Sequence, residues 1–155
     1  AELGPPALLA TLEQLCNGQL QPEQQNDEHA NYAHKLSKDE GAIDWRQDTQ
    51  TILRKIRAFN PFPVAHTQLD GERVRIFAAT ASEPSVFESA GSQGQPAAAG
   101  QIISHAQHCI HIATIDGAIA VNLLQMPGKK ALPARDLLNG MADKLAVGAQ
   151  FGANA

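Results

Sequence analysis

"VAHTQLDGERVRIFAAT", residues 64–80, places an Asp-Gly pair between two runs that have the composition of β-strands. In the second run Val74 and Ile76 alternate with Arg73 and Arg75, so the two arginines share one face of the strand. An Asp-Gly pair suits a type I′ turn, whose two central residues both need positive φ. The stretch therefore predicts a β-hairpin with a basic outer face.

Three further runs downstream predict strands: GQIISHA at 100–106, HCIHIATI at 108–115 and AIAVNLLQM at 118–126. A second Asp-Gly pair, at positions 116 and 117, joins the last two runs. Five short strands between an early and a late helix predict an α+β, mainly β fold. We expect a small OB-fold-like barrel, closed or nearly closed.

The early helix is predicted by an apolar stripe that begins after Asp48 or Thr49, either of which is a suitable N-cap. The stripe comprises Ile52, Leu53, Ile56 and Phe59, and Pro61 must end it. We expect Phe59 and Phe62 to pack in the core. The late helix is predicted to follow Pro133 in ARDLLNGMADKLAVG.

Composition divides the chain into three parts. Residues 1–18 contain a leucine stripe typical of a helix, residues 19–43 are polar and Gln-rich like a linker, and residues 44–155 form the main domain. The chain starts without Met inside helical sequence, so we expect a piece of a longer protein. The Ala-, Ser- and Gly-rich residues 81–99 predict a mobile surface loop, and the tail 149–155 is expected to fray.

The composition fits a soluble globular protein, with 155 residues, 43% hydrophobic and 18% charged, and a net charge of −4. There is neither a long apolar run nor a basic, cleavable leader, which predicts a cytoplasmic protein without membrane attachment. Cys16 and Cys109 lie far apart and outside any ligand-like spacing. Both are expected to be free thiols.

Three histidines, His105, His108 and His111, could suggest a metal site. On a strand the outer two would be roughly 20 Å apart at about 3.3 Å per residue, with the middle ring on the opposite face, so half-exposed strand histidines are favoured over a metal centre. The sequence contains no GxSxG elbow, GxGxxG loop or Walker loop. It therefore predicts neither a metal nor a catalytic site.

Basic residues form three local clusters despite the negative net charge. They are Arg54, Lys55 and Arg57 on the early helix, Arg73 and Arg75 on the hairpin, and Lys129 and Lys130 in a turn. The helix cluster alone would suit a solvated face. Three clusters on one small barrel favour a polyanionic partner.

Three motifs, in this order and at this spacing, resemble the C-terminal part of the methionyl-tRNA formyltransferase family: NYAHKLSKDEGAIDW at 31–45, ILRKIRAFNPFPVAHTQLDGERVRIF at 52–77 and GKKALPARDLLNG at 128–140. By this resemblance, residues 1–18 would be the last helix of a truncated catalytic domain. Residues 19–43 would be the interdomain linker, and residues 44–155 the OB-fold-like C-terminal domain.

The resemblance also implies a function. The family transfers a formyl group from 10-formyltetrahydrofolate to the amino group of methionine on initiator tRNA, and its C-terminal domain is thought to hold the tRNA on a basic surface. The three basic clusters, with Lys35 and Lys38 in the linker, would then contact the tRNA, and the chain's own N-terminal catalytic domain would be its other partner.

The family's catalytic Asn-x-His motif and its folate-associated Ser-Leu-Leu-Pro stretch do not occur in these 155 residues. This chain alone is therefore expected to be inactive and to hold no cofactor. Two alternatives remain: the equivalent domain of an amino-sugar formyltransferase or a formyltetrahydrofolate hydrolase, or a purely structural barrel whose basic residues are solvated.

Overall fold

The structure, a computed structural model, describes residues 2–90 and 97–152. Its helices are α1 (Gly4–Cys16), α2 (Thr49–Ala58), α3 (Pro84–Glu88) and α4 (Ala134–Met141), and 3-10 turns lie at Asp27–His29 and Asp39–Gly41. Its strands are β1 (Ala65–Leu69), β2 (Glu72–Ala81), β3 (Ile102–Ser104), β4 (Ile110–Ala113), β5 (Ala118–Gln125) and β6 (Ala131–Pro133).

The described strands form one curled antiparallel sheet in the order β1-β2-β5-β4-β3, with β6 paired to β5. The predicted hairpin is confirmed: Asp70 and Gly71 have φ of 52° and 77°, and His66 pairs with Arg75 across the ladder. The mainly β prediction is also confirmed, with β6 added to the five predicted strands. The sheet curls as a half-barrel around a core rich in isoleucine.

Strand β2 makes the curl possible because it pairs with β1 through its first half and with β5 along most of its length. Its register with β5 shifts on either side of Ala78. Such bulges bend a strand and increase its twist. Val74 and Ile76 point into the core and are fully buried, whereas Arg73 and Arg75 lie on the exposed face, as the alternation predicts.

Helix α2 covers the sheet with Ile52, Leu53 and Ile56, the buried members of the predicted stripe. Asp48 is the N-cap, since its carboxylate accepts hydrogen bonds from the Thr51 backbone N–H at 2.8 Å and the Thr51 hydroxyl at 2.7 Å. The predicted core position of Phe62 is wrong: 60% of that residue is exposed. Proline on both sides holds it in the turn that follows α2 rather than in the helix.

The tail corrects a second expectation in part: residues 149–152 do not fray, and residues 153–155 lie outside the described residues. The Phe151 N–H donates to the Gly100 carbonyl and the Gly152 N–H to the Gln68 carbonyl, both at 2.8 Å. This segment thus bridges the two edges of the sheet, next to β3 on one side and β1 on the other. Phe151 is 1% exposed and stacks on Trp45 at 6.0 Å between ring centroids.

Two compact units are present, Ala1–Lys35 and Leu36–Ala155. In the first, the predicted helix ends at Cys16, and its leucine stripe is exposed. The second includes the sheet and also Ile43, whose N–H donates to the His66 carbonyl at 2.8 Å. Of the predicted loop 81–99, residues 84–88 form α3, with Val86 and Phe87 half-buried, and residues 91–96 lie outside the described residues.

Candidate nucleic-acid interface

The outer face of β2 carries the two arginines that the sequence singles out. Arg73 lies opposite Gln68 of β1, and Arg75 lies between His66 of β1 and Gln125 of β5. Both guanidinium groups belong to exposed residues, and a groove runs along each side of the pair. Arg73 and Arg75 line both grooves.

The first groove, called here the Phe62 groove, has a volume of about 350 Å³. Its cationic residues are Lys38, Arg73 and Arg75, and no carboxylate stands among the described residues that line it. Its apolar walls are the Phe62 and Phe77 rings and the prolines on either side of Phe62. Lys38 of the predicted linker is thereby brought to the same site as the β2 arginines.

The second groove, called here the Met126 groove, measures about 300 Å³ and lies towards the turn between β5 and β6. Gln125 connects its two sides: its Oε1 accepts from Arg75 Nη1 at 3.2 Å, and its Nε2 donates to the Lys129 carbonyl at 2.7 Å. The exposed Lys129 and Lys130 follow this groove in the turn. Gln125 therefore links the β2 arginines to the turn that carries the lysines, and Glu72 is the acid among the described residues that line the Met126 groove.

The three cations of the helix cluster have different surroundings. Lys55 is half-buried and donates from Nζ to the Ala42 carbonyl at 2.7 Å, so it holds the incoming chain against α2. Arg54 is exposed, and its Nε donates to the Gln50 carbonyl of its own helix at 3.2 Å. Within the described residues, no side-chain hydrogen bond or ion pair involves Arg57.

Acidic groups also surround the helix cluster. Hydrogen bonds from Arg46 are the main cause that lowers the pKa of Asp44, and the positive charge of Lys55 contributes further. Hydrogen bonds from Thr51 lower the pKa of Asp48, with a smaller effect of Arg54. None of the described grooves includes both the helix cluster and the β2 arginines. Lys35 is exposed and belongs to the first unit, Ala1–Lys35.

His66 lies buried in the Phe62 groove behind the arginines. Burial lowers the pKa of its imidazole below the usual value, and the positive charges of Arg73 and then Arg75 lower it further. A hydrogen bond to the Val64 carbonyl and the charge of Asp39 oppose this shift. The ring is therefore neutral at physiological pH, and the cations of the groove are its lysine and two arginines.

The three downstream histidines differ in burial and in their hydrogen bonds. His111 is buried, not half-exposed as predicted, with Nδ1 2.8 Å from the Ser82 hydroxyl and Nε2 3.1 Å from the Ala106 carbonyl. His105 and His108 are exposed. In residues 2–90 and 97–152 no three His, Cys, Asp or Glu side chains are grouped so that they could hold a metal ion.

Several site residues escape sequence reasoning. Phe62, Phe77 and His66 line the groove, and Gln125 orients Arg75. The placement of Phe62 between two prolines is a usable signal, because a residue fixed in a turn seldom reaches the core. Gln125 gives no comparable signal, since its partner lies 50 residues away.

Fold and surface together define a small α+β domain, a curled antiparallel sheet whose outer face carries cations beside an exposed aromatic ring. The chain belongs to the formyl transferase C-terminal domain family, which matches it over residues 35–142. The resemblance read from the motifs at 31–45, 52–77 and 128–140 is thereby confirmed. No helix in the described parts of the chain has the length and apolar character that a bilayer crossing requires.

Curated relatives carry the name methionyl-tRNA formyltransferase. That of Pseudomonas putida is 43% identical over 152 residues, which cover 98% of this chain and 46% of the relative. That of Pseudoalteromonas translucida is 42% identical over 154 residues, with 99% and 46% covered. The chain thus spans about half the length of these relatives.

Solved structures of HypX from Aquifex aeolicus share the fold. One variant aligns with a TM-score of 0.63 at 24% identity, over 88% of this chain and 23% of HypX. HypX in complex with tetrahydrofolic acid aligns with a TM-score of 0.61 at 25% identity, over 84% and 22% of the two chains. These similarities support the half-barrel architecture.

Proposed function

We propose that this chain is the tRNA-docking portion of a methionyl-tRNA formyltransferase and that it holds initiator tRNA on the outer face of β2. The observation that carries the proposal is the Phe62 groove, where Lys38, Arg73 and Arg75 converge without a carboxylate among the described lining residues. Clustered cations neutralise phosphates and release counterions, which gives affinity without reading sequence.

The basic residues then divide into two groups. Lys38, Arg73, Arg75, Lys129 and Lys130 contact phosphate directly. Arg54 and Arg57 supply a secondary surface, whereas Lys55 mainly anchors residue 42 and Lys35 acts from the linker. The Lys55 ammonium already donates to the Ala42 carbonyl of this chain, which supports this division.

In the whole enzyme, the domain upstream would bind 10-formyltetrahydrofolate and transfer its formyl group to methionine on the tRNA. This chain would add affinity and orientation, which bring the acceptor end to that active site. The absence of the family's Asn-x-His motif from the sequence supports a chain that is inactive by itself.

The proposal is tested by fluorescence anisotropy of initiator tRNA with this chain from about 50 to about 200 mM salt. Each lost phosphate contact flattens the slope of log K against log salt by up to about 0.9, so Arg73→Gln/Arg75→Gln is expected to flatten it by roughly 2. Absence of binding at the lowest salt would overturn the proposal.

A matched control removes the same two charges elsewhere. Arg46 and Arg135 already pair with the carboxylates of Asp44 and Asp136 at 2.9 and 3.1 Å. Arg46→Gln/Arg135→Gln should therefore keep the wild-type slope within about half a unit. An equal loss in both double variants would indicate a general charge effect and would contradict a dedicated β2 surface.

A second candidate follows from the fold shared with HypX, which was solved with tetrahydrofolic acid. The same half-barrel could serve a formyltransferase for amino sugars or a formyltetrahydrofolate hydrolase, without a tRNA. Incubation of the full-length protein with Met-tRNA and the formyl donor separates the candidates. Lack of formylmethionyl-tRNA together with turnover of another acceptor would favour the second.

A further inference from the structure

The Phe62 ring is exposed in a segment that is otherwise firmly held. Asn60 donates from Nδ2 to the Phe77 carbonyl at 3.0 Å, and the Val64 N–H donates to the Phe59 carbonyl at 2.8 Å. Prolines on both sides restrict the backbone further. The ring contributes little to the core, while the chain on both sides of it is held in place, which is an arrangement suited to a contact surface for another molecule.

The backbone beside Phe62 is strained as well. Val64 has φ of 69°, a left-handed conformation that β-branched residues rarely adopt. Such a conformation is unfavourable and persists only where the surrounding structure imposes it. Strained residues of this kind cluster at binding sites. Here the strained residue lines the Phe62 groove itself.

We propose that the Phe62 groove holds one unpaired nucleotide of the RNA, with its base stacked on Phe62 and its flanking phosphates on Arg73, Arg75 and Lys38. This inference rests on the proposed function and adds to it that the site binds single-stranded rather than double-stranded RNA. Aromatic rings stack on bases of any sequence, and nearby cations follow the backbone of a single strand.

The alternatives fit the groove less well. A free phosphate or a sulfate would use the cations but would leave the exposed ring without a role. A duplex keeps its bases stacked on one another, so their faces are closed to a protein ring. A volume of about 350 Å³ lies at the small end of ligand sites, about 300–1,000 Å³, which suits one base and excludes a helix.

The test compares a short single-stranded RNA, carrying 2-aminopurine in place of its adenines, with the same strand annealed to its complement. Phe62→Ala should weaken binding of the single strand to this chain by about 5- to 150-fold, the range found for loss of one stacked base. Binding of the duplex should stay within about twofold. The wild-type chain should quench 2-aminopurine fluorescence, and the variant should not.

Two further variants separate stacking from folding and from charge. Phe62→Trp should restore single-strand affinity and quenching, because it replaces one ring by another. Ile115→Ala removes another exposed apolar side chain, 64% exposed in the turn between β4 and β5, and should change nothing. Thermal melts of all variants should coincide, since the Phe62 side chain is largely outside the core.

The outcomes distinguish this inference from the proposed function. If Phe62→Ala binds the single strand as tightly as the wild type, or loses single strand and duplex equally, the stacking site does not exist. The docking surface then still stands if Arg73→Gln/Arg75→Gln flattens the salt dependence of tRNA binding. If the wild-type chain binds no RNA at the lowest salt, both proposals fail.

Discussion

Arg75 sits in a row of polar side chains that crosses three strands, between His66 on β1 and Gln125 on β5. The guanidinium donates to Gln125, and the buried imidazole stays neutral behind it. Arginine suits this position because its planar fork remains charged at any working pH and presents several donors at fixed angles. A side chain held in this way loses less conformational entropy when it meets a phosphate.

His66 gives the domain a testable pH dependence. Its folded-state pKa lies below the value of about 6.5 in the unfolded chain. The unfolded state therefore binds more protons below about pH 6.5, and stability is lost as pH falls through the folded pKa. Between about pH 7.5 and 5.5, the free energy of unfolding should fall less in His66→Gln than in the wild type.

The measurement is urea denaturation at each pH, with the slope against pH compared rather than the absolute stability. His108→Gln is the control, because His108 is exposed and should leave the wild-type slope unchanged. An identical slope in wild type and His66→Gln would show that this imidazole does not couple to folding.

For single residues, the sequence predicts which side chains lie on the exposed face of the sheet, but it does not predict their hydrogen-bond partners. Strict alternation in 73–76 is enough to place both arginines on one face. Their partners depend on strand pairing between residues 50 positions apart and on the bulges around Ala78. A local pattern contains no information about either.

Helix α2 is fixed at its N-terminus by two carboxylates from different parts of the chain. Asp48 caps the Thr51 N–H, and Asp116 accepts from the Thr49 N–H and the Thr49 hydroxyl, both at 2.8 Å. Negative charge at this end also stabilises the helix through its dipole, and so does the positive charge of Lys55 and Arg57 in the last turn. The β4–β5 turn is thus tied to the start of the helix that leads into the Phe62 segment.

Replacing Asp116 by Ala should lower the free energy of unfolding at pH 7 by about 1 kcal/mol, the usual effect of losing a helix cap. Hydrogen bonds from the Thr49 backbone and then its hydroxyl lower the pKa of this carboxyl in the folded state. Its contribution is therefore present above the unfolded value of about 3.9 and is lost as pH falls through the lower folded pKa.

Urea denaturation at pH 7 and towards pH 3 measures this difference, with Asp143→Ala, an exposed acid in the same domain, as control. The deficit of Asp116→Ala should shrink on acidification. A deficit that is equal at both pH values would mean that the carboxylate charge is not what stabilises the helix start.

For helices and strands, periodicity and capping rules predict α2 and narrow its N-cap to Asp48 or Thr49, because both depend on neighbours within one turn. They cannot supply Asp116, which is 67 residues from Thr49. Phe62 lies beyond the stripe, which ends before Pro61, so its core position is expected from its apolar character alone, and the structure leaves it 60% exposed.

Across the domain, the sheet is held in its curl by the segment whose composition predicts fraying. Residues 148–152 bridge the edges next to β1 and β3, and Phe151 packs on Trp45 in the core. The family match ends at residue 142, before this segment begins. Its role follows from neither composition nor periodicity, since AQFGANA has a single large apolar residue and no period.

Gly100 is the position that tests this closure. It has φ of 88°, and a Cβ there would lie 2.5 Å from the Phe151 carbonyl oxygen and 3.1 Å from Trp45 Cδ1. Gly100→Ala should lower the free energy of unfolding by about 3 kcal/mol, because positive-φ strain of about 1–2 kcal/mol is joined by displacement of the closing segment.

Gly71→Ala is the matched control, since Gly71 also has positive φ, 77°, but a Cβ at this position would have no other atom within 4 Å. Its free energy of unfolding should fall only by the strain of a side chain at positive φ, about 1 kcal/mol. Thermal or urea unfolding compares the two variants. Equal losses would show that residues 148–152 contribute little to stability.

The β2 face, rather than the α2 cations, is proposed to dock the tRNA, and steady-state kinetics of the full-length enzyme test this proposal most directly. Arg73→Gln/Arg75→Gln is expected to raise KM for Met-tRNA by at least about tenfold, as expected for lost charge-assisted contacts, and to leave KM for the formyl donor unchanged. Arg54→Gln/Arg57→Gln should have a smaller effect. A larger effect of the helix pair, or an equal rise in both KM values for the strand pair, would contradict docking on β2.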